Sequence, residues 1–460
     1  MDTPARRIAG IVALGSLMTM FDTTVTAIAT PALTRALHAD LPTVAWVTTA
    51  YMLALVAVMP TAAWAVARFG DRRTYLAALG LFLAGSAAAG LAWSVGSLIG
   101  FRALQGVGGG LLAPVGMAVT LRSVTDENRG RVMAVFGLPL FVGPVLGPTL
   151  GGALVDGVGW RSLFFLNIPI GLAALVLAAR YLPPNDRRAA SPLDIRGLLT
   201  LSPGAVLVVF GLSRLGTDGD PTSPSVLAPA AAGLALIGTF VAHALRTPHP
   251  LLDLRLIAHP PLRAALRTLA PFTAAYFGSM LALPVYVQQA RGDSATLAGT
   301  LTIGQALASA VALQVATRLA DRIGTRRVVL VGVSTGLAGF ASVGLCAAAS
   351  APYPAIAAVS VLIGIGAGST MMPLIAGSTR GLAPDRVAGA STLINTNSQL
   401  FSALGAAILA TVMTSTAGGA HHTPGSVGLA YLVPVALAGV ALASALRLPS
   451  PARKRVTVPS

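Results

Sequence analysis

Residues 10–31 read GIVALGSLMTMFDTTVTAIATP, an apolar run of membrane-crossing length with one carboxylate, Asp22, near its middle. About 20 apolar residues carry a helix across the hydrocarbon core. An ionised side chain at that depth costs roughly 2.5–3.5 kcal/mol on insertion scales, so it marks an ion or proton path, or else a structural ion pair. The chain has 15 acidic residues, and the hydropathy pattern puts only Asp22 well inside a span. Arg6 and Arg7 precede the run as in a secretory leader. Its length, its acid and the spans that follow make it the first transmembrane helix instead.

The same composition continues outward. Of 460 residues, 55% are hydrophobic and 10% charged, with mean hydropathy +0.77. A water-soluble chain carries about 25% charged residues. Apolar runs of similar length recur to the end of the sequence, which indicates a polytopic helical membrane protein. Fourteen spans are expected, near 8–32, 43–66, 74–94, 96–121, 131–154, 161–182, 194–213, 224–245, 264–289, 295–317, 328–349, 353–378, 387–413 and 427–446.

The basic residues test that division. With the N-terminus cytoplasmic, inner segments hold 26 of the 31 Lys and Arg, outer loops hold Arg35, Arg161, Arg214 and Arg291, and Arg102 lies within a span. Such a split is the positive-inside pattern, and it puts both termini in the cytoplasm. The net charge of +16 therefore marks topology rather than nucleic-acid binding. Trp46, Trp93 and Trp160 fall at outer span ends and Trp64 near an inner one, where interfacial anchors belong. Cys346 is the only cysteine, which excludes an intrachain disulfide, and Lys454 is the only lysine. A phosphate-binding Walker loop needs a lysine beside its glycines, so ATP is excluded as the energy source within this chain. No extramembrane segment has room for a soluble catalytic domain. The match of residues 332–336 (GVSTG) to a hydrolase elbow lacks the required strand. His421 and His422 are too few for a metal site, so no enzyme activity, metal or cofactor is expected.

Two inner loops resemble one another: ARFGDRRT at 67–74 follows the second span and ADRIGTRRV at 320–328 follows the tenth. Two related six-helix bundles with two extra central spans would produce this. In the fifth span Gly143, Gly147 and Gly151 recur every four residues, with Gly152 beside them, and Pro144 and Pro148 intervene. The stripe admits a close helix neighbour and the prolines permit a kink.

These stretches resemble the major facilitator superfamily. RLADRIGTRR after span ten is similar to its signature loop, and the loop after span two is a weaker copy with Ala67 in place of the acid and Asp71 beyond the glycine. LIGFRALQGVGGG in span four, GLPLFVGPVLGPTLGG in span five, FDTTVTAIATPAL in span one and WRSLFFLNIPIG in span six resemble the drug:proton antiporter branch with fourteen helices. The resemblance implies a proton-coupled exporter with alternating access. In it Arg68, Gly70, Asp71, Arg72, Asp321, Arg322, Gly324 and Arg326 would form gating loops that latch the two halves, unless the arginines are topology signals alone.

Asp22 and Arg102 both fall in the outer half of their spans, at heights that allow contact, and Gln105 lies one turn beyond Arg102. Burial favours a protonated carboxylic acid and a neighbouring guanidinium favours the ionised one. Opposed effects of similar size suit a proton carrier, whereas a static ion pair is the structural alternative. Thr392, Asn395 and Gln399 share one face of span thirteen. Together with Thr26, Tyr51, Tyr276, Tyr286, Gln305 and Met371, two of them, Asn395 and Gln399, are candidates for lining a substrate cavity.

The sequence thus predicts an all-α polytopic membrane protein of the cytoplasmic membrane. Residues 1–182 would form an N-terminal six-helix bundle, 183–250 two additional helices, 251–448 a second six-helix bundle, and 449–460 a basic cytoplasmic tail. Its expected partners are protons, lipid and a small amphiphilic substrate, with no nucleic acid, and the resemblance implies a monomer. Export of one endogenous metabolite and a lipid flippase-like activity are the alternative functions.

Overall fold

A computed structural model describes residues 3–39, 41–123, 132, 134–137, 139, 151, 154–155, 157–183, 192–218, 222–383, 386–416 and 423–448. Within them the regular structure is helical. The first group comprises α1 (Thr3–Ile28), α2 (Thr30–Ala36), α3 (Leu41–Val58), α4 (Ala62–Phe69), α5 (Asp71–Gly90), α6 (Val95–Arg122) and α7 (Arg161–Tyr181). A pair follows, α8 (Ile195–Asp218) and α9 (Pro224–Arg246). The last group comprises α10 (Pro260–Val285), α11 (Ala295–Ile323), α12 (Thr325–Ala348), α13 (Tyr353–Ser378), α14 (Val387–Thr416), α15 (Pro424–Ala430) and α16 (Leu432–Ala445).

Among the described residues, 11 helices are long and apolar enough to cross a membrane. The first and third expected spans are the helices α1 and α5, while most of the fifth lies outside the described residues. Two expected spans are each broken into pieces. Pro60 sits in a short 3-10 turn, Met59–Thr61, between α3 and α4. Pro434 follows the break at Tyr431 between α15 and α16. Proline supplies no N–H to the preceding turn, which frees a carbonyl and lets the axis bend.

The order of neighbours in the first group repeats in the last. α6 packs on α3 and α5, and α5 on α7, while α1 lies along α7. Correspondingly α13 packs on α11 and α12, α12 on α16, and α10 along α16. The repeat reaches individual residues. A side chain on Gly106, Gly108 or Gly110 of α6 would strike the Tyr51 carbonyl, the Phe82 backbone or the Leu55 carbonyl. One on Gly364, Gly366 or Gly368 of α13 would strike the Gln305 carbonyl, the Gly336 backbone or the Ser309 carbonyl. Each glycine and its counterpart are 258 residues apart, and each struck residue and its counterpart are 254 apart. Both fourth helices therefore approach their neighbours backbone to backbone, which only glycine allows and which binds helices tightly where hydrophobic driving force is absent.

The loops repeat too. Gly70 and Gly324 have φ of 84° and 93°, a conformation that favours glycine, and each joins two helices end to end. Two residues later, Arg72 donates to the carbonyl of Ala179 at the end of α7, and Arg326 donates to that of Leu446 just past α16 at 2.8 Å. Both arginines satisfy terminal carbonyls and oppose the negative end of a helix dipole. Between the groups, α8 bridges α3 and α14, stacking Phe210 on Trp46 with centroids 5.8 Å apart.

Candidate functional site

The start of α6 sets the position of Arg102. Ser94 is extended, its Oγ accepts from the Ser97 N–H at 3.1 Å, and the Ser97 Oγ accepts from the Ser94 N–H at 3.0 Å. This reciprocal capping box fixes where the helix begins. Arg102 then falls about two turns in, with no exposed surface, and Gln105 is equally enclosed one turn on. Asp22 on α1 is 4% exposed. The structure brings the three together.

The Arg102 Nη1 donates to Asp22 Oδ2 and to Gln105 Oε1 at 2.8 Å, while Nε donates to the Val47 carbonyl at 3.2 Å. The guanidinium carbon lies 4.2 Å from the centroid of the Tyr51 ring and 5.7 Å from that of Phe164. Gln105 Nε2 donates to Asp22 Oδ1 at 2.9 Å. Asn167 on α7 completes the cage: its Nδ2 donates to Asp22 Oδ1 at 3.2 Å and to Ser86 Oγ at 3.1 Å. Ser86 on α5 donates in turn to the Phe164 carbonyl at 2.9 Å. Helices α1, α3, α5, α6 and α7 thus meet at one carboxylate. A buried charge is tolerable when paired and hydrogen-bonded; among the described residues the hydrogen-bonded side chains of the cage leave only Arg102 Nη2 and Asn167 Oδ1 without a hydrogen bond, and breaking one side of such a pair costs about 3–5 kcal/mol.

The cavity candidates are placed separately. Tyr51 lies under the Arg102 guanidinium rather than beside an opening. The Tyr276 hydroxyl is in hydrogen-bonding reach of Gln305 and Ser309, and Ser309 donates to the Gly364 carbonyl at 2.9 Å. Tyr276 and Gln305 are the 254-residue counterparts of Asp22 and Tyr51, so the second group carries a neutral polar cluster where the first carries its ion pair. Tyr286 is in a π-helical turn, Tyr286–Ala290, and its hydroxyl accepts from Arg291 at 3.0 Å. Met371 is buried. Asn395 donates to the Ser391 carbonyl at 2.9 Å and to the Met117 sulfur at 3.7 Å. Gln399 is half-buried. The side chain of Thr26 lies outside the described residues, as do Gly143, Pro144, Gly147, Pro148 and Gly152; Gly151 is helical and buried.

In the inner loops Asp71 takes Arg122, whose Nη1 donates to both carboxylate oxygens at 2.8 and 2.9 Å. Asp321 takes Arg380 at 2.7 Å. Arg122 and Arg380 are 258 residues apart, the same offset as the α6 and α13 glycines. Each pair joins helices of one group, α5 to α6 and α11 to the end of α13. The acid has moved from one side of the glycine to the other, and its arginine partner has stayed. Sequence reasoning left out Arg122, Arg380, Ser86 and Asn167 as site residues.

The model of the Major Facilitator Superfamily matches residues 12–406 and, in a second match, 272–459. The chain belongs to this superfamily. Among its superfamily relatives, a multidrug resistance protein B homolog of Mycobacterium tuberculosis is 40% identical over 416 residues, covering 90% of this chain and 77% of the relative. The tetracenomycin C resistance and export protein of Streptomyces glaucescens is 30% identical over 412 residues, covering 88% of this chain and 76% of the relative. The solved structure of the proton:xylose symporter XylE bound to 6-bromo-6-deoxy-D-glucose matches with a TM-score of 0.68 at 14% identity, over 96% of each chain. This member of the superfamily is accordingly a multi-pass membrane transporter of small molecules and not an enzyme.

Proposed function

We propose that this transporter exports amphiphilic small molecules in exchange for protons, with Asp22 as the proton carrier. The observation that carries the reading is the Asp22 carboxylate, buried among five helices and held by Arg102, Gln105 and Asn167. A chain that retains an acid at such cost uses it. The names of the relatives, which refer to multidrug resistance and antibiotic export, support the direction and the substrate class. No cofactor takes part; the proton gradient is the energy source.

The proposed layout has fourteen spans, both termini in the cytoplasm, six-helix bundles at 1–182 and 251–448, and a monomer in the cytoplasmic membrane. Contacts between the groups run from α14 to α4, the 3-10 turn and α6, at the end that bears the arginine loops. They support a state closed to the cytoplasm. With one deep acid serving both proton and substrate steps, the favoured substrates are neutral, weakly basic or anionic, and few protons move per cycle.

Drug susceptibility of cells lacking their own pumps, with and without a proton uncoupler, tests this. Expression should lower susceptibility, and the uncoupler should abolish the effect. A relative named for a single antibiotic, tetracenomycin C, favours a narrower reading, a dedicated exporter; protection against one compound out of many would select it.

A further inference from the structure

We propose that Asn167 is a proton-linked amide that inverts when Asp22 is protonated, changing from donor to acceptor. The inference rests on Asp22 as the proton carrier and adds the group that answers its change of charge.

The hydrogen bonds from Arg102, Gln105 and Asn167 all suit an ionised Asp22. Oδ2 receives Arg102, and Oδ1 receives both Gln105 and Asn167. A protonated carboxyl becomes a donor and needs an acceptor within the cage. Gln105 has none to give. Its Oε1 is occupied by Arg102 Nη1 at 2.8 Å, and turning its amide would set two donors against each other. The Val47 and Phe164 carbonyls bond Arg102 Nε and Ser86 rather than an Asp22 oxygen, so of the groups described as bonded to Asp22 only Asn167 can turn an acceptor to it.

Asn167 differs. The residue is 1% exposed, and among the described residues its Oδ1 has no hydrogen-bond partner. A buried acceptor left unpaired costs about 1–3 kcal/mol; inversion would pair it and set the amide N–H groups in its former place. Rotation about the terminal side-chain bond exchanges Oδ1 and Nδ2. Oδ1 then faces both Asp22 and the Ser86 hydroxyl, and the latter can swing its hydrogen from the Phe164 carbonyl to Oδ1.

The proton count is simple. One proton from water bonds to Asp22 Oδ1, its O–H donates to Asn167 Oδ1, and no other group gains or loses a proton. The charged and titratable groups facing Asp22 among the described residues are Arg102 on α6 and Tyr51 on α3. Arg102 has no acceptor atom, and the Tyr51 hydroxyl is turned toward Gly109, two turns along α6 from Arg102. Asn167 also ties α7 to α5 through Ser86 at 3.1 Å, so its inversion alters a contact between helices as well as a charge balance.

The sign of one shift decides. A fixed donor favours only the carboxylate, so removing it would strengthen proton binding. With the switch, the carboxylate still receives Arg102 and Gln105 when Asn167 is removed, whereas the protonated acid loses the acceptor that inversion supplies, so removal weakens proton binding. The full chain in lipid is titrated by infrared difference spectroscopy, following the carboxylic C=O band that is lost in Asp22→Asn. In Asn167→Leu, or in Asn167→Ala should the larger side chain prevent folding, the proton affinity of that band is expected to fall about tenfold, the weight of one buried hydrogen bond. An unchanged or stronger affinity would overturn the amide switch and leave the proton carrier standing. Absence of any titrating band lost in Asp22→Asn would instead overturn the proton-carrier reading on which this one rests.

Discussion

Arg102 orients Gln105: its Nη1 donates to Gln105 Oε1 at 2.8 Å, which turns the Gln105 amide nitrogen onto Asp22 Oδ1 at 2.9 Å. Two residues one turn apart on α6 thereby hold both oxygens of the acid on α1. The guanidinium does this with a planar fork braced against the Tyr51 ring, a task a point charge cannot repeat.

Replacing Arg102 therefore separates charge from geometry. Arg102→Lys keeps the cation but loses the link to Gln105 and the Val47 carbonyl; transport should fall by at least tenfold while the protein still folds. Arg102→Ala strands the Asp22 carboxylate and should lower stability by about 3–5 kcal/mol. Thermal unfolding in detergent beside vesicle transport separates the two effects. Wild-type transport by Arg102→Lys would show that charge alone suffices.

Tyr51→Leu removes the ring 4.2 Å from the guanidinium and leaves the hydrogen bonds in place. A desolvated cation–π contact is worth about 2 kcal/mol. Stability should fall by about that amount, with a smaller loss in Tyr51→Phe, as the face rather than the hydroxyl makes the contact.

The glycine repeat predicts equal sensitivity at matched positions. Gly106→Ala and Gly364→Ala each drive a methyl into a backbone carbonyl, of Tyr51 and of Gln305. Overpacking costs about 1–3 kcal/mol, so both variants should unfold at lower temperature by similar amounts. Gly10→Ala and Gly80→Ala, which meet nothing within 4 Å, should leave the transition unchanged.

At the base of the extra helix pair, burial would raise the Asp194 carboxyl, but the Gly197 N–H, the His243 side chain and the Leu251 N–H outweigh it and hold it below the usual carboxylate value. A depressed value means that the stabilisation is complete above the ordinary carboxylate range and is lost as pH falls through the lowered one. Asp194→Asn should thus be less stable than wild type near neutral pH. The gap should close as the pH drops into the acid range, as unfolding curves across pH would record.

What could be read in advance follows physical conspicuousness. Asp22 stands out because a lone acid in a run of membrane length has few explanations, and Arg102 because it is the arginine set deepest within a span. Asn167 and Ser86 carry no charge and sit among Pro169 and small residues, where polarity looks like ordinary helix packing. The arginine loops betrayed a repeat through their shared glycine. The matching glycines of α6 and α13 did not, because α12 is four residues longer than α5 and shifts their offset from 254 to 258. Arg122 and Arg380 were absorbed into the positive-inside count, and only their ion pairs with Asp71 and Asp321 distinguish them.

Uphill transport by Asp22→Asn addresses the account most directly. Purified wild-type and variant proteins are placed in vesicles with an imposed pH gradient, and accumulation of a neutral fluorescent amphiphile, which has no titratable amine for the gradient to trap, is followed against its concentration outside. Wild type should accumulate the probe and lose it when the gradient collapses, while Asp22→Asn, still folded, should only equilibrate it. Gradient-driven accumulation by the Asp22→Asn variant at the wild-type level would contradict the claim that this carboxylate carries the proton.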